Sequence, residues 1–180
     1  MATPTPMLDR FTLYSIFMRL DKDTSGQMNA TELQAALSNG TWRPFNPETV
    51  RLMIGMFDHD NNGTINFEEF VELWRYITGW LNCFKSFDAD NSGTIDKKEL
   101  KTAFTSFGFR LSDQFFELLI KKFDRASNNS ITFDDYIQAC VMVQTLTAAF
   151  REHDRDQSGI ITITYEDFLM MVVKTMFHPA

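Results

Sequence analysis

Apolar residues recur along the chain at three- and four-residue spacing, in blocks that come in pairs. Leu13, Ile16, Phe17 and Leu20 form one block, and Leu33, Ala36 and Leu37 its mate. Met53 and Phe57 are followed by Phe70, Leu73 and Trp74; Leu81, Phe84 and Phe87 by Leu100, Ala103 and Phe104. Phe116, Leu119, Ile120 and Phe123 precede Ile137, Cys140 and Val141, and Leu146, Ala149 and Phe150 precede Phe168, Leu169 and Val172. Such spacing predicts amphipathic helices. A short polar stretch rich in Asp separates the two members of each pair. The pattern is therefore helix–loop–helix, five times over.

Local punctuation supports the segmentation. Ser38-Asn39-Gly40 is expected to stop one helix, and Asn46-Pro47-Glu48 to start the next with a cap and a proline in the first turn. Ser106-Phe107-Gly108 is a second stop, after which Ser112 caps the following helix. Between the second and third loops the only breaker is Gly79, so one continuous helix is predicted from about Glu69 to Phe87. A second long helix is expected to join the fourth and fifth loops.

The polar stretches share the phrase Asp-x-Asp-x-(Ser/Asn)-Gly, beginning at Asp21, Asp58, Asp88 and Asp154, with a decayed copy at Asp124. Ca²⁺ is a hard cation that takes six to eight oxygens, and a twelve-residue loop supplies them from positions 1, 3, 5, 7 (a backbone carbonyl), 9 and 12, with Gly at 6 for the turn. Loop one (21–32) offers Asp21, Asp23, Ser25, Gln27 and Glu32. Loop three (88–99) offers Asp88, Asp90, Ser92, Thr94 and Glu99. Both are complete, and both are expected to bind Ca²⁺. Loop two (58–69), with Asp58, Asp60, Asn62, Thr64 and Glu69, is complete by pattern and adds a third candidate, with Mg²⁺ as a competing ion. Loop four (124–135) has Ala126 at position 3, Asn129 in place of Gly and the shorter Asp135 at position 12, so no tight binding is expected there. The fifth loop, from 154, has Asp154, Asp156 and Ser158, but position 12 is Tyr165 and Glu166 comes one residue late; it is expected to be weak or empty. The architecture implied is all-α: five EF-hand helix–loop–helix units in residues 9–180, after a short flexible segment 1–8, with short antiparallel β pairings between loops. Those pairings centre on position 8, matching Met28 with Ile65 and Ile95 with Ile131.

Composition narrows the function. The 180 residues carry a formal charge of −7, which argues against general affinity for nucleic acid or anionic lipid. Three bound Ca²⁺ would cancel about six of those charges. Eighteen Phe and ten Met supply a core, and also suit a surface that opens toward apolar partners. Cys83 and Cys140 lie in apolar helical stretches and are expected to be two buried, reduced thiols. The N-terminal stretch shows no apolar signal core, and no apolar run approaches a membrane span, so a cytoplasmic location is expected. His59, His153 and His178 read as surface residues without a partnered nucleophile, and no catalytic group is expected.

An odd number of hands leaves the fifth without a mate. Its stretch Ile160, Ile161, Thr162, Ile163, Thr164 is β-branched throughout and offers an edge for pairing. A two-fold dimer through two fifth hands is the economical solution, with Met170, Met171, Val172, Val173 and Met176 of the final helix completing the interface.

Five hands with an unpaired fifth resemble the penta-EF-hand family. The likeness is carried largely outside the metal loops, by Leu37-Ser38-Asn39-Gly40-Thr41-Trp42 with Pro44-Phe45-Asn46-Pro47, Tyr76-Ile77-Thr78 with Trp80, Arg110-Leu111-Ser112-Asp113-Gln114-Phe115, and Tyr165-Glu166. The resemblance implies a Ca²⁺-dependent adaptor for short proline-rich segments of membrane-trafficking or repair proteins. It implies homodimers or family heterodimers, a cytoplasmic and nuclear distribution, recruitment to endoplasmic-reticulum exit sites or endosomes, and membrane association only through partners. It also implies a pocket of Trp74, Ile77, Trp80, Phe107 and Tyr165, with Arg110 as the side chain that moves when Ca²⁺ binds. A regulatory subunit of a calpain-like protease and a plain Ca²⁺ buffer are the competing functions.

Overall fold

A computed structural model describes residues 8–37 and 44–177, with the side chains of 175–177 left out. The expected stop at Ser38-Asn39-Gly40, the segment 1–7 and His178 lie outside the described residues. Chain contacts divide the molecule into a unit ending at Ile137 and a carboxy-terminal unit from Gln138.

The first unit contains three complete hands and, of the fourth, the incoming helix, the loop and the start of the outgoing helix. Helices α1 (Arg10–Leu20) and α2 (Ala30–Ala36) flank loop one, and α3 (Pro47–Phe57) and α4 (Phe67–Phe87) flank loop two. Helix α4 runs on without interruption into loop three, which α5 (Lys97–Ser106) leaves; Gly79 is accommodated inside it. Helix α6 (Asp113–Phe123) leads into loop four, and α7 (Phe133–His153) starts beyond it. The strands are two residues each. β1 (Gln27–Met28) pairs antiparallel with β2 (Ile65–Asn66), placing Met28 opposite Ile65. β3 (Ile95–Asp96) pairs with β4 (Ser130–Ile131), placing Ile95 opposite Ile131. All four of these apolar side chains are fully buried. They join Phe17, Leu33, Met53, Phe70, Leu73, Phe104, Phe116 and Tyr136, each worth about 1.5–3 kcal/mol of burial.

Caps fix where the helices begin. Asn46 Oδ1 accepts the Glu48 N–H at 2.9 Å, with Pro47 in the first turn of α3. Ser112 Oγ accepts the Phe115 N–H at the start of α6. At the end of α5, Gly108 (φ +89°) donates to Thr105 O and Phe109 donates back to Phe104 O at 2.9 Å. This is a Schellman stop, and the accompanying ring contact of Phe104 with Phe109 sits at 5.6 Å. The left-handed residue it needs is why glycine stands at 108.

The carboxy-terminal unit holds most of α7, the fifth loop and α8 (Tyr165–Phe177). No strand forms at 160–164. The segment has no regular secondary structure, with Ile161 and Ile163 half-buried and Ile160 and Thr162 exposed. A strand needs a hydrogen-bonded partner, and the described residues supply none. Cys140 is buried, Cys83 is half-buried, and neither is in a disulfide. Among the described residues no helix is long and apolar enough to cross a membrane.

Candidate calcium loops and aromatic cluster

In each of the first three loops the Asp at position 1 turns its carboxylate inward and collects the backbone amides of positions 5 and 6. Asp21 accepts from Ser25 at 3.0 Å and Gly26 at 2.8 Å. Asp58 accepts from Asn62 at 3.0 Å and Gly63 at 2.7 Å, and Asp88 from Ser92 at 2.9 Å and Gly93 at 3.0 Å. The turn requires left-handed residues at positions 4 and 6, occupied by Thr24 and Gly26, Asn61 and Gly63, Asn91 and Gly93. Positions 3 and 5 face the same point: Asp23, Asp60 and Asp90 each accept the amide two residues on.

The Glu at position 12 closes the ring. Glu32 accepts the N–H of Lys22 through Oε1 and that of Asn29 through Oε2, both at 3.0 Å. Glu69 does the same with His59 and Asn66, and Glu99 with Ala89 and Asp96. The position-9 residue caps the outgoing helix in return, so α2, α4 and α5 each start with a full capping box. The carboxylate at position 12 is thus set by the same hydrogen bonds that start the helix. The consequence is three clusters, Asp21–Asp23–Glu32, Asp58–Asp60–Glu69 and Asp88–Asp90–Glu99, each with carboxylate oxygens within 4.8 Å of one another. Three carboxylates so close repel, and an all-oxygen anionic ring of this kind fits a hard divalent cation.

Local hydrogen bonds favour the ionised form of three of these acids, Asp23, Asp58 and Asp90. The hydroxyl of Ser25 holds Asp23 below the usual carboxylate range, and Ser92 does so for Asp90. For Asp58 burial pushes the pKa up, but the amides of Gly63 and Asn62 outweigh it and the net direction is down. The first two loops also touch directly, since Thr64 Oγ1 donates to Gln27 Oε1 across β1 and β2.

The fourth loop keeps the shape without the ligands. Ser127 and Asn129 adopt the left-handed positions, and Asp124 accepts the Asn129 N–H at 2.7 Å. Ala126 offers no side-chain oxygen, and Asp135 is turned toward the Arg125 side chain, whose Nε donates to it at 2.7 Å. The fifth loop folds its first half like the others: Asp154 accepts from Ser158 and Gly159, both at 3.0 Å, and Asp156 accepts from Ser158 at 3.2 Å. Its second half brings no carboxylate back. Tyr165 stands at position 12 with its ring exposed, and Asp167 accepts from Thr164 at the cap of α8.

The proposed partner-binding side chains are distributed as follows. Trp74, Ile77 and Trp80 lie half-buried along α4. Trp80 meets Phe107 edge-on at 6.4 Å, and Phe107 keeps an exposed face. Trp74 leans instead on Phe70 at 5.6 Å. Arg110 is exposed between α5 and α6, and Tyr165 opens α8 in the other unit. The structure adds residues that pattern reading passed over. Tyr76 and Tyr136 flank Trp80 at 6.0 and 5.8 Å, and Phe87 packs on Phe107 at 5.9 Å. Nothing in the local sequence marks Tyr136, and only the fold carries it to Trp80.

Comparison with known proteins agrees with this geometry. An EF-hand domain-pair model matches residues 10–75 and 78–141, which makes the chain a protein built from EF-hand pairs. Sorcin from Schistosoma japonicum is 48% identical over 163 residues, covering 91% of this chain and 95% of that protein. Human sorcin is 46% identical over 152 residues, covering 82% and 76%. Among solved structures, a homolog of programmed cell death 6 protein from Leishmania major Friedlin matches with a TM-score of 0.80 at 33% identity, over 91% of this chain and 93% of that one. With its fifth helix–loop–helix beyond two pairs, the chain belongs to the penta-EF-hand family. It is a calcium-binding protein of that family and not an enzyme.

Proposed function

We propose that the protein is a calcium sensor and adaptor that docks proline-rich segments of membrane-trafficking or repair proteins on the aromatic cluster around Trp80. The observation that carries the reading is the course of α4. It starts at the position-12 Glu69 side of loop two, presents Trp74, Ile77 and Trp80, and ends in Asp88, the first ligand position of loop three. Ca²⁺ at Asp21, Asp23 and Glu32, at Asp58, Asp60 and Glu69, and at Asp88, Asp90 and Glu99 would re-space the helices flanking each loop. The Trp80–Phe107 contact links α4 to the end of α5, the outgoing helix of loop three, so such a shift acts on the cluster directly. An aromatic-lined surface suits a polyproline segment, which is extended before it binds. The exposed face of Phe107 beside the half-buried Trp80 favours this over a buffer, which opens little.

The test is calorimetry with Ca²⁺ followed by a proline-rich peptide. The peptide is expected to bind only with Ca²⁺ and not to Glu99→Gln. Heat from the peptide in excess chelator would overturn the reading.

Self-association through the fifth hand is the second part. Ile160 and Tyr165 are each 77% exposed, and Phe168, Leu169, Met170 and Val173 are exposed along α8. A β-branched segment outside any strand, leading into an apolar helix face, is what a second copy, or another family member, would cover. We place the protein in the cytoplasm, recruited to exit sites or endosomes through the proline-rich partners.

A further inference from the structure

The fourth hand contains two buried charges that the calcium chemistry does not use. Asp134 and Asp135 are 0% and 1% exposed, adjacent in sequence at the start of α7. Two neighbouring carboxylates cannot stay ionised out of water without a counter-charge and a full set of donors. Arg125, at position 2 of the loop, reaches in from the surface. Its Nε donates to Asp135 Oδ2 at 2.7 Å and its Nη2 to Asp134 Oδ2. In loops one to three the residue at position 2 contributes only its backbone N–H to the position-12 Glu. Here that N–H goes to Phe123 O, and the side chain spans the gap left by the shorter Asp.

The remaining donors come from far along the chain. The Asn46 N–H donates to Asp134 Oδ2 at 2.6 Å, and Asn46 Nδ2 donates to Asp135 Oδ1 at 2.8 Å. Thr49 Oγ1 donates to Asp134 O at 3.3 Å, while Thr132 Oγ1 faces both carboxylates. Asn46 is the N-cap of α3, the incoming helix of the second hand. Beside it, buried Phe45 meets Phe133 at 6.1 Å, and Gln34 Nε2 fixes Phe45 O at 2.6 Å.

We infer that Arg125 is a built-in cation of loop four that clamps the start of α3 to the fourth hand independently of calcium. The fourth hand then serves as a fixed reference against which the ion-responsive hands move. Arg125 is a positioning residue here, acting through Asp134 and Asp135 on Asn46.

Amide exchange of the full-length protein, in chelator and in Ca²⁺, tests this. In the wild type the Asn46 amide is expected to exchange equally slowly in both. In Arg125→Met it should speed up about tenfold or more beyond any change at the Asp88 amide, a reference in the same unit bonded to Phe84 O. Arg125→Lys should restore part of the protection, and adding Asp135→Asn to Arg125→Met should restore part by removing the unpaired charge. Should Arg125→Met not fold, Arg125→Lys and the double variant carry the test. Asn46 protection that appears only with Ca²⁺ would overturn the inference. So would an Arg125→Met protein with unchanged Asn46 exchange, or strictly additive effects of the two substitutions.

Discussion

Glu99 Oε1 accepts the backbone N–H of Ala89 at 2.8 Å, while its Oε2 accepts that of Asp96. One side chain therefore joins the second residue of loop three to the start of α5 before any ion is considered. Gln at this position keeps the size but replaces one anionic acceptor with an NH₂ donor. Glu99→Gln is expected to weaken Ca²⁺ at loop three about 100-fold, or ~2.8 kcal/mol, read by calorimetry as loss of one site. Glu32→Gln and Glu69→Gln should each remove one further site.

Trp80 and Phe107 share an edge contact but differ in burial. Trp80 also supports Tyr76 and Tyr136, so Trp80→Ala should cost about 2 kcal/mol in urea unfolding, below the usual range for a fully buried Trp. Phe107 sits exposed at the α5 stop. Phe107→Ala should cost under about 1 kcal/mol of stability and still lower affinity for a proline-rich peptide about tenfold.

Ile160 has nothing to lose within its own chain, being largely exposed. Ile160→Asp is expected to convert a micromolar dimer to monomer in sedimentation velocity, with helical circular dichroism unchanged. A monomeric wild type would remove the fifth hand from the interface.

Acid should open the loops in a defined window. Hydroxyl hydrogen bonds from Ser25, Ser92 and Ser158 hold Asp23, Asp90 and Asp156 below the ordinary value of 3.8. A depressed folded-state pKa contributes stability above the unfolded value, lost as pH falls through the folded one. Metal-free protein should therefore hold its Tm from pH 7 to about 5 and lose it below about 4. Ser92→Ala should move that acid limb to higher pH in thermal melts.

Much of this was legible in the sequence, because it is local. Asp-x-Asp-x-(Ser/Asn)-Gly and a Glu at position 12 specify both the turn and the cap, and position 8 in each loop fixed the Met28–Ile65 and Ile95–Ile131 register. What stayed hidden is long-range. Nothing near Arg125 points to Asn46, and nothing near Tyr136 points to Trp80; those meetings exist only after the hands pack. The pattern also left loop four merely without ligands, whereas the structure shows its acids turned to a guanidinium.

Helix α4 spans 21 residues, or about 30 Å. It is a rigid lever with an ion-binding loop at each end and Trp80 between them. A tilt of about 5° at one end displaces the other by roughly 2.6 Å over that length. On the proposed function, occupancy of loop two would be felt mechanically at loop three, and the aromatic cluster would report the sum of both rather than either alone.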